Sequence, residues 1–127
     1  MSRLLIVDDS VDLLEAMKFF LERRGYTVMT ISNNQNLYQI VSEFNPDLIL
    51  LDVFLHGKDS RALCKELRKH IETKYLCIML FSSSPAALEN HTEHGADGVI
   101  AKPFGLLNLV ERIEEILSGC KDNAVKY

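Results

Sequence analysis

LLIVDDSVD, residues 4–12, sets four consecutive apolar residues directly against two adjacent aspartates. An uninterrupted apolar run is the pattern of a strand covered on both faces, as in a parallel sheet. Paired carboxylates at its end repel one another and lose hydration, so their presence needs a reason. Comparable runs recur at TVMTI (27–31), DLILL (47–51), CIMLF (77–81) and GVIA (98–101). Segments with helical spacing lie between them. The clearest covers 106–117, where Leu106, Leu109, Val110, Ile113, Ile116 and Leu117 form one stripe and Glu111, Arg112, Glu114 and Glu115 fall outside it.

The first helix is predicted to open near Ser10, turn Leu13, Leu14, Met17, Phe20 and Leu21 inward, and stop at Gly25. Asn45-Pro46 closes the second helix. Ser84-Pro85 supplies an N-cap followed by proline at the first helical position. Five strand-then-helix units predict an α/β fold with helices on both faces of a parallel sheet. The domain spans 1–118, and GCKDNAVKY (119–127) reads as a short polar tail.

A chain of 127 residues suffices for one core. Its net charge of −4, with no basic cluster interleaved with aromatics, argues against a nucleic-acid surface. MSRLLIV is too short for a signal peptide or a membrane span. Cys64, Cys77 and Cys120 are odd in number and form no CxxC pair, which suits a reducing compartment and core filling better than a disulfide framework. The expected location is the cytoplasm.

In an open parallel sheet, sites form beyond the carboxyl ends of the strands. Asp8 and Asp9 follow the first run, Asp52 follows the third, Ser82 ends the fourth, and Lys102-Pro103 follows the fifth. Three converging carboxylates call for a hard divalent cation, and magnesium with its oxygen ligands is the natural one. Lysine, hydroxyl and metal together would stabilise the charge of a phosphoryl group in transfer. Asp52 stands alone after LILL and is the expected covalent acceptor, while Asp8 and Asp9 are paired for metal binding.

Asp8-Asp9-Ser10, LILLD ending at Asp52, MLFSS ending at Ser83 and AKPF at 101–104, in this order and spacing, resemble the receiver domain of two-component response regulators over roughly residues 2–118. The resemblance implies a flavodoxin-like, doubly wound five-stranded parallel sheet of order 2-1-3-4-5. It implies Mg2+ bound by Asp9 directly, by Asp8 through water, by Asp52 and by the backbone carbonyl of Phe54. By the same likeness Asp52 takes phosphate from a sensor histidine kinase or histidine phosphotransfer protein, Ser82 moves to meet the phosphoryl group and Lys102 pairs with it.

The resemblance also implies a cis Lys102-Pro103 bond, an isomer that proline permits. The product would be a regulatory phosphoacceptor with self-catalysed phosphorylation and dephosphorylation, a monomer or phosphorylation-dependent dimer, acting on a downstream effector through its last helix, last strand and preceding helix. Two departures from the family pattern stand out: Val99 occupies a usual aromatic position, and the loop after the acceptor reads Leu55-His56 with Ser60 at a usual glycine position. Phe54 and Ser84 fill two positions that vary in the family and influence acyl-phosphate hydrolysis. Apolar Phe54 has no group to orient an attacking water, which predicts a long-lived phosphorylated state.

A phosphatase of the haloacid-dehalogenase type, with Asp52 as nucleophile, uses the same chemical kit. It requires an acid where Phe54 stands and an acidic pair after the lysine, and Asp8-Asp9 come first. His91 and His94 read as a solvent-facing pair without a third metal ligand.

Overall fold

The computed structural model describes residues 2–124, with side chains as far as Cys120. Its elements in chain order are β1 (Arg3–Val7), α1 (Val11–Glu22), β2 (Thr27–Ile31), α2 (Leu37–Phe44), β3 (Leu48–Asp52), β4 (Phe54–Leu55), β5 (Lys58–Asp59), α3 (Arg61–Lys69), β6 (Cys77–Ser82), α4 (Pro85–Leu88), β7 (Gly98–Ala101) and α5 (Leu106–Ala124). Five strands form a parallel sheet of order β2-β1-β3-β6-β7, which is the expected 2-1-3-4-5 order once β4 and β5 are set apart as a separate pair.

Successive strand residues face opposite sides, so each continuous apolar run feeds two cores. Leu4, Ile6, Leu50, Met79 and Phe81 pack with α1 and α5. Leu5, Val7, Ile49, Leu51, Ile78 and Leu80 pack with α2, α3 and α4. Helix α1 starts as expected: the Ser10 hydroxyl accepts from the Leu13 N–H at 3.3 Å, and Leu14, Met17 and Leu21 are buried.

Four features depart from the sequence reading. The segment after Asp52, to which the sequence reading assigned no element, is a hairpin. His56 and Gly57 both adopt left-handed φ, 50° and 76°, as a two-residue turn between paired strands requires. The fourth helix is a single turn, because residues 89–95 (ENHTEHG) carry no apolar stripe to bury and Asn90 turns left-handed at φ 55°.

The polar tail expected from residue 119 is helical through Ala124, as α5 runs past Gly119; residues 125–127 lie outside the described part. Finally, Cys77 and Cys120 are joined as a disulfide, with Cα atoms 5.8 Å apart, and only Cys64 among the three is a buried free thiol. Partners 43 residues apart are brought together by the packing of α5 on the start of β6, which spacing alone does not reveal. No helix among the described residues is long and apolar enough to cross a membrane.

Candidate functional site

Strand register builds the site. Val7 pairs with Leu51, so Asp8 and Asp52 leave the sheet side by side. Asp52 pairs with Phe81, and Ser82 pairs with Ala101, which places Lys102 next in line. The Lys102 N–H donates to the Ser82 carbonyl at 2.9 Å, and the Lys102-Pro103 peptide is cis. Ligand oxygens of Asp8, Asp9 and Asp52 all lie within 4.8 Å of one another.

Each side chain is held in place by its own local contacts. Asp8 is fully buried; its Oδ1 accepts from the Ser10 N–H at 2.8 Å, and its Oδ2 accepts from Lys102 Nζ at 2.7 Å. The same ammonium stands 3.5 Å from Asp52 Oδ2 and rests over the Phe81 ring, 4.8 Å from its centroid. Asp52 is buried at the end of β3, and its Oδ1 faces the Phe54 N–H at a long 3.4 Å. Burial raises the Asp52 carboxyl above its ordinary pKa, the charge of Asp8 adds to the rise, and Lys102 opposes it. Ser82 is buried, and its Oγ accepts from the Ser84 N–H at 3.1 Å.

Asp9 is exposed, and its Oδ2 accepts from the His56 N–H at 2.9 Å. The sequence reading missed this partner. The His56 ring also meets the Ser32 carbonyl at 2.9 Å, so the hairpin is moored to the loop after β2 while its backbone orients Asp9. A His-Gly pair between two short extended segments was the available signal, since glycine tolerates the left-handed turn that the hairpin needs. Ser60 was noted only as a replacement for glycine. Its buried hydroxyl donates to the carbonyls of Asp52 and Val53, bracing the backbone at the acceptor strand's end.

The structure therefore brings Asp8, Asp9, Asp52 and Lys102 together, with Ser82 on the adjoining strand end. Phe54 opens the hairpin and is 42% exposed, with its N–H toward Asp52. Val99 is partly buried against the core beneath α2, α3 and α4. His91 and His94 fall in the irregular turn after α4 and join no metal-ligating group among the described residues. Three carboxylates face a single ammonium, an excess of negative charge that hard oxygen donors relieve by taking up a divalent cation. The donor set fits magnesium.

Comparison with known proteins agrees with this fold. Residues 4–114 match the family described as the response regulator receiver domain. A putative response regulator from Chloroflexus aurantiacus is similar at 34% identity and a TM-score of 0.84, over 92% of this chain and 98% of that one. The signal receiver domain of a histidine kinase from Syntrophus aciditrophicus is similar at 31% identity and a TM-score of 0.81, over 94% and 92%. A CheY-like receiver domain protein from Methanospirillum hungatei is 25% identical with a TM-score of 0.85, over 97% and 98%. With 111 of its residues matched and its five strands in the order described, this chain belongs to the response regulator receiver domain family.

Proposed function

We propose that the chain is a phosphoacceptor switch in which an Asp52 carboxylate oxygen attacks the phosphorus of a phosphohistidine on a sensor kinase or phosphotransfer protein. The P–N bond breaks as the new O–P bond forms, giving an acyl phosphate on Asp52 and returning the histidine. The observation that carries this reading is the position of Lys102 Nζ, 2.7 Å from Asp8 and 3.5 Å from Asp52, at one rim of the sheet.

Lys102 is placed to follow the transferred charge. When Asp52 becomes an acyl phosphate, the ammonium can turn from the carboxylates to the phosphoryl oxygens, which carry more charge. Ser82 contributes a hydroxyl donor from the next strand end, while its Oγ accepts from the Ser84 N–H. Asp8, Asp9, Asp52 and the Phe54 carbonyl would hold Mg2+, which when bound offsets the carboxylate charge and that of the entering phosphoryl group. His56 keeps Asp9 aimed at that site through its backbone N–H.

The readout would be altered binding of a downstream effector, as monomer or phosphorylation-dependent dimer, at the face of α4, β7 and α5. Val99 offers no aromatic ring at the position that usually carries one in the family. A cytoplasmic location suits a kinase donor. The phosphatase alternative loses support, because Phe54 offers no general acid beside Asp52.

The test is incubation with magnesium and a small phosphodonor, followed by intact-mass measurement of wild type and Asp52→Asn. One phosphate adduct is expected on wild type and none on the variant; an adduct on Asp52→Asn would place the acceptor elsewhere. In the same assay the adduct should decay faster in Phe54→Asn, whose amide can orient water.

A further inference from the structure

We propose that Cys77 and Cys120 form a reversible thiol–disulfide site that fastens the C-terminal part of α5 to the first residue of β6. Neither cysteine belongs to the rim that carries the carboxylates. Cys77 begins β6, whereas Ser82 ends it, so this site works at the opposite edge of the sheet and does not depend on the phosphoryl-transfer reading.

The two sulfurs differ in access. Cys77 is 3% exposed, beneath α5, with its Sγ 3.6 Å from the Ile116 carbonyl. Cys120 is half-buried and lines an open cavity of about 150 Å³ with Asp97, Arg112, Glu115, Ile116 and Gly119. Gly119 leaves open space where a side chain would stand. A small thiolate therefore reaches the Cys120 sulfur and not that of Cys77. On the cavity wall the Arg112 guanidinium is held by Glu115 at 2.9 Å and donates from Nε to the Val99 carbonyl at 3.0 Å, which leaves the approach to Cys120 clear of it.

The exchange balances with a low-molecular-weight thiol as reductant. Its thiolate bonds to Cys120 Sγ, the protein S–S bond breaks, and the electron pair leaves on Cys77 Sγ, which takes a proton. A second thiolate attacks the small-molecule sulfur of the mixed disulfide and releases Cys120, which is protonated in turn. The net change is protein disulfide plus two thiols to protein dithiol plus one small disulfide; oxidation is the reverse. Asp97 lies close enough to complete a metal-ligating trio with the two cysteines. Its Oδ2 already accepts from Arg68 Nη2 at 2.7 Å and the Ile78 N–H at 2.8 Å, so disulfide chemistry is favoured over metal binding.

Full-length protein equilibrated in glutathione buffers of graded redox ratio, quenched with acid and alkylated in denaturant, tests the proposal by intact mass. One alkyl group, on Cys64, is expected at the oxidising end and three at the reducing end, with a smooth transition between. Cys120→Ser should carry two throughout, and Cys64→Ser should keep the transition. The oxidised form should melt about 10 °C above the reduced form, because a closed loop restricts the unfolded chain. Three alkyl groups in the most oxidising buffer would overturn the proposal, and so would a single alkyl group persisting in the most reducing one. Stoichiometric zinc bound by the reduced chain, with no disulfide under oxidation, would also overturn it by making the pair a metal site.

Discussion

The two rims of the sheet handle aspartate in opposite ways. At the amino rim, Asp97 precedes β7 and is matched by its own cation: Arg68 Nη2 meets it at 2.7 Å while the same guanidinium donates to the carbonyls of Gly95, Lys74 and Leu76. At the carboxyl rim, Asp8, Asp9 and Asp52 share Lys102. Both rims close the same strands, so the difference is not one of fold. A balanced acid ties loops together; an unbalanced cluster is held against its own repulsion by the surrounding structure and stays ready for a cation or phosphoryl group. Burial first and the neighbouring charge of Asp8 second raise the Asp52 carboxyl above its ordinary pKa, with Lys102 opposing them.

This contrast is open to direct attack, and Asp97→Ala should show the largest effect. It strands the Arg68 charge and the Ile78 N–H, and chemical denaturation should report a loss of about 3 kcal/mol. A loss near zero would mean that the amino-rim pair is only surface decoration.

Cys64 provides the next largest effect and a control, since it is an ionisable group buried with no ligand role. Burial pushes its thiol up to about 11. A folded pKa above the unfolded one means that its contribution is intact below about pH 9 and is lost as pH rises toward 11, because only the unfolded chain ionises freely there. Between those limits wild type should lose up to about 2 kcal/mol more than Cys64→Ala, measured by denaturation at each pH. Equal slopes would show that the thiol is accessible in the folded protein.

The smallest effect has the opposite sign from the first. With metal chelated, Asp52→Asn should be more stable than wild type by about 1 kcal/mol, since the amide removes one of three crowded charges. Magnesium should then raise the melting temperature of wild type and leave that of the variant nearly unchanged. A variant less stable than wild type without metal would mean that Lys102 fully compensates the cluster.

Much of this arrangement was legible in the chain. The five apolar runs located the five sheet strands within a residue or so at each end, and the residues following them included Asp8, Asp52 and Lys102. What escaped notice was set by contacts distant in sequence or by local polarity. His56 gained its role from Asp9, 47 residues away, and from Ser32. The fourth helix shrank to one turn because the polar stretch after Leu88 gave it nothing to bury. Helix α5 passed a glycine that often stops helices, with Cys120 bound to Cys77 just beyond it.

By itself, the sequence determined the alternation of buried strands with amphipathic helices and the residue types at each strand's end, because hydrophobic periodicity and local turn chemistry act over a few neighbours. Only the tertiary structure decided which acids share a cation, which backbone N–H aims Asp9, and which two of three sulfurs meet. Those outcomes depend on strand register and helix packing between residues tens of positions apart, and linear spacing carries no record of that geometry.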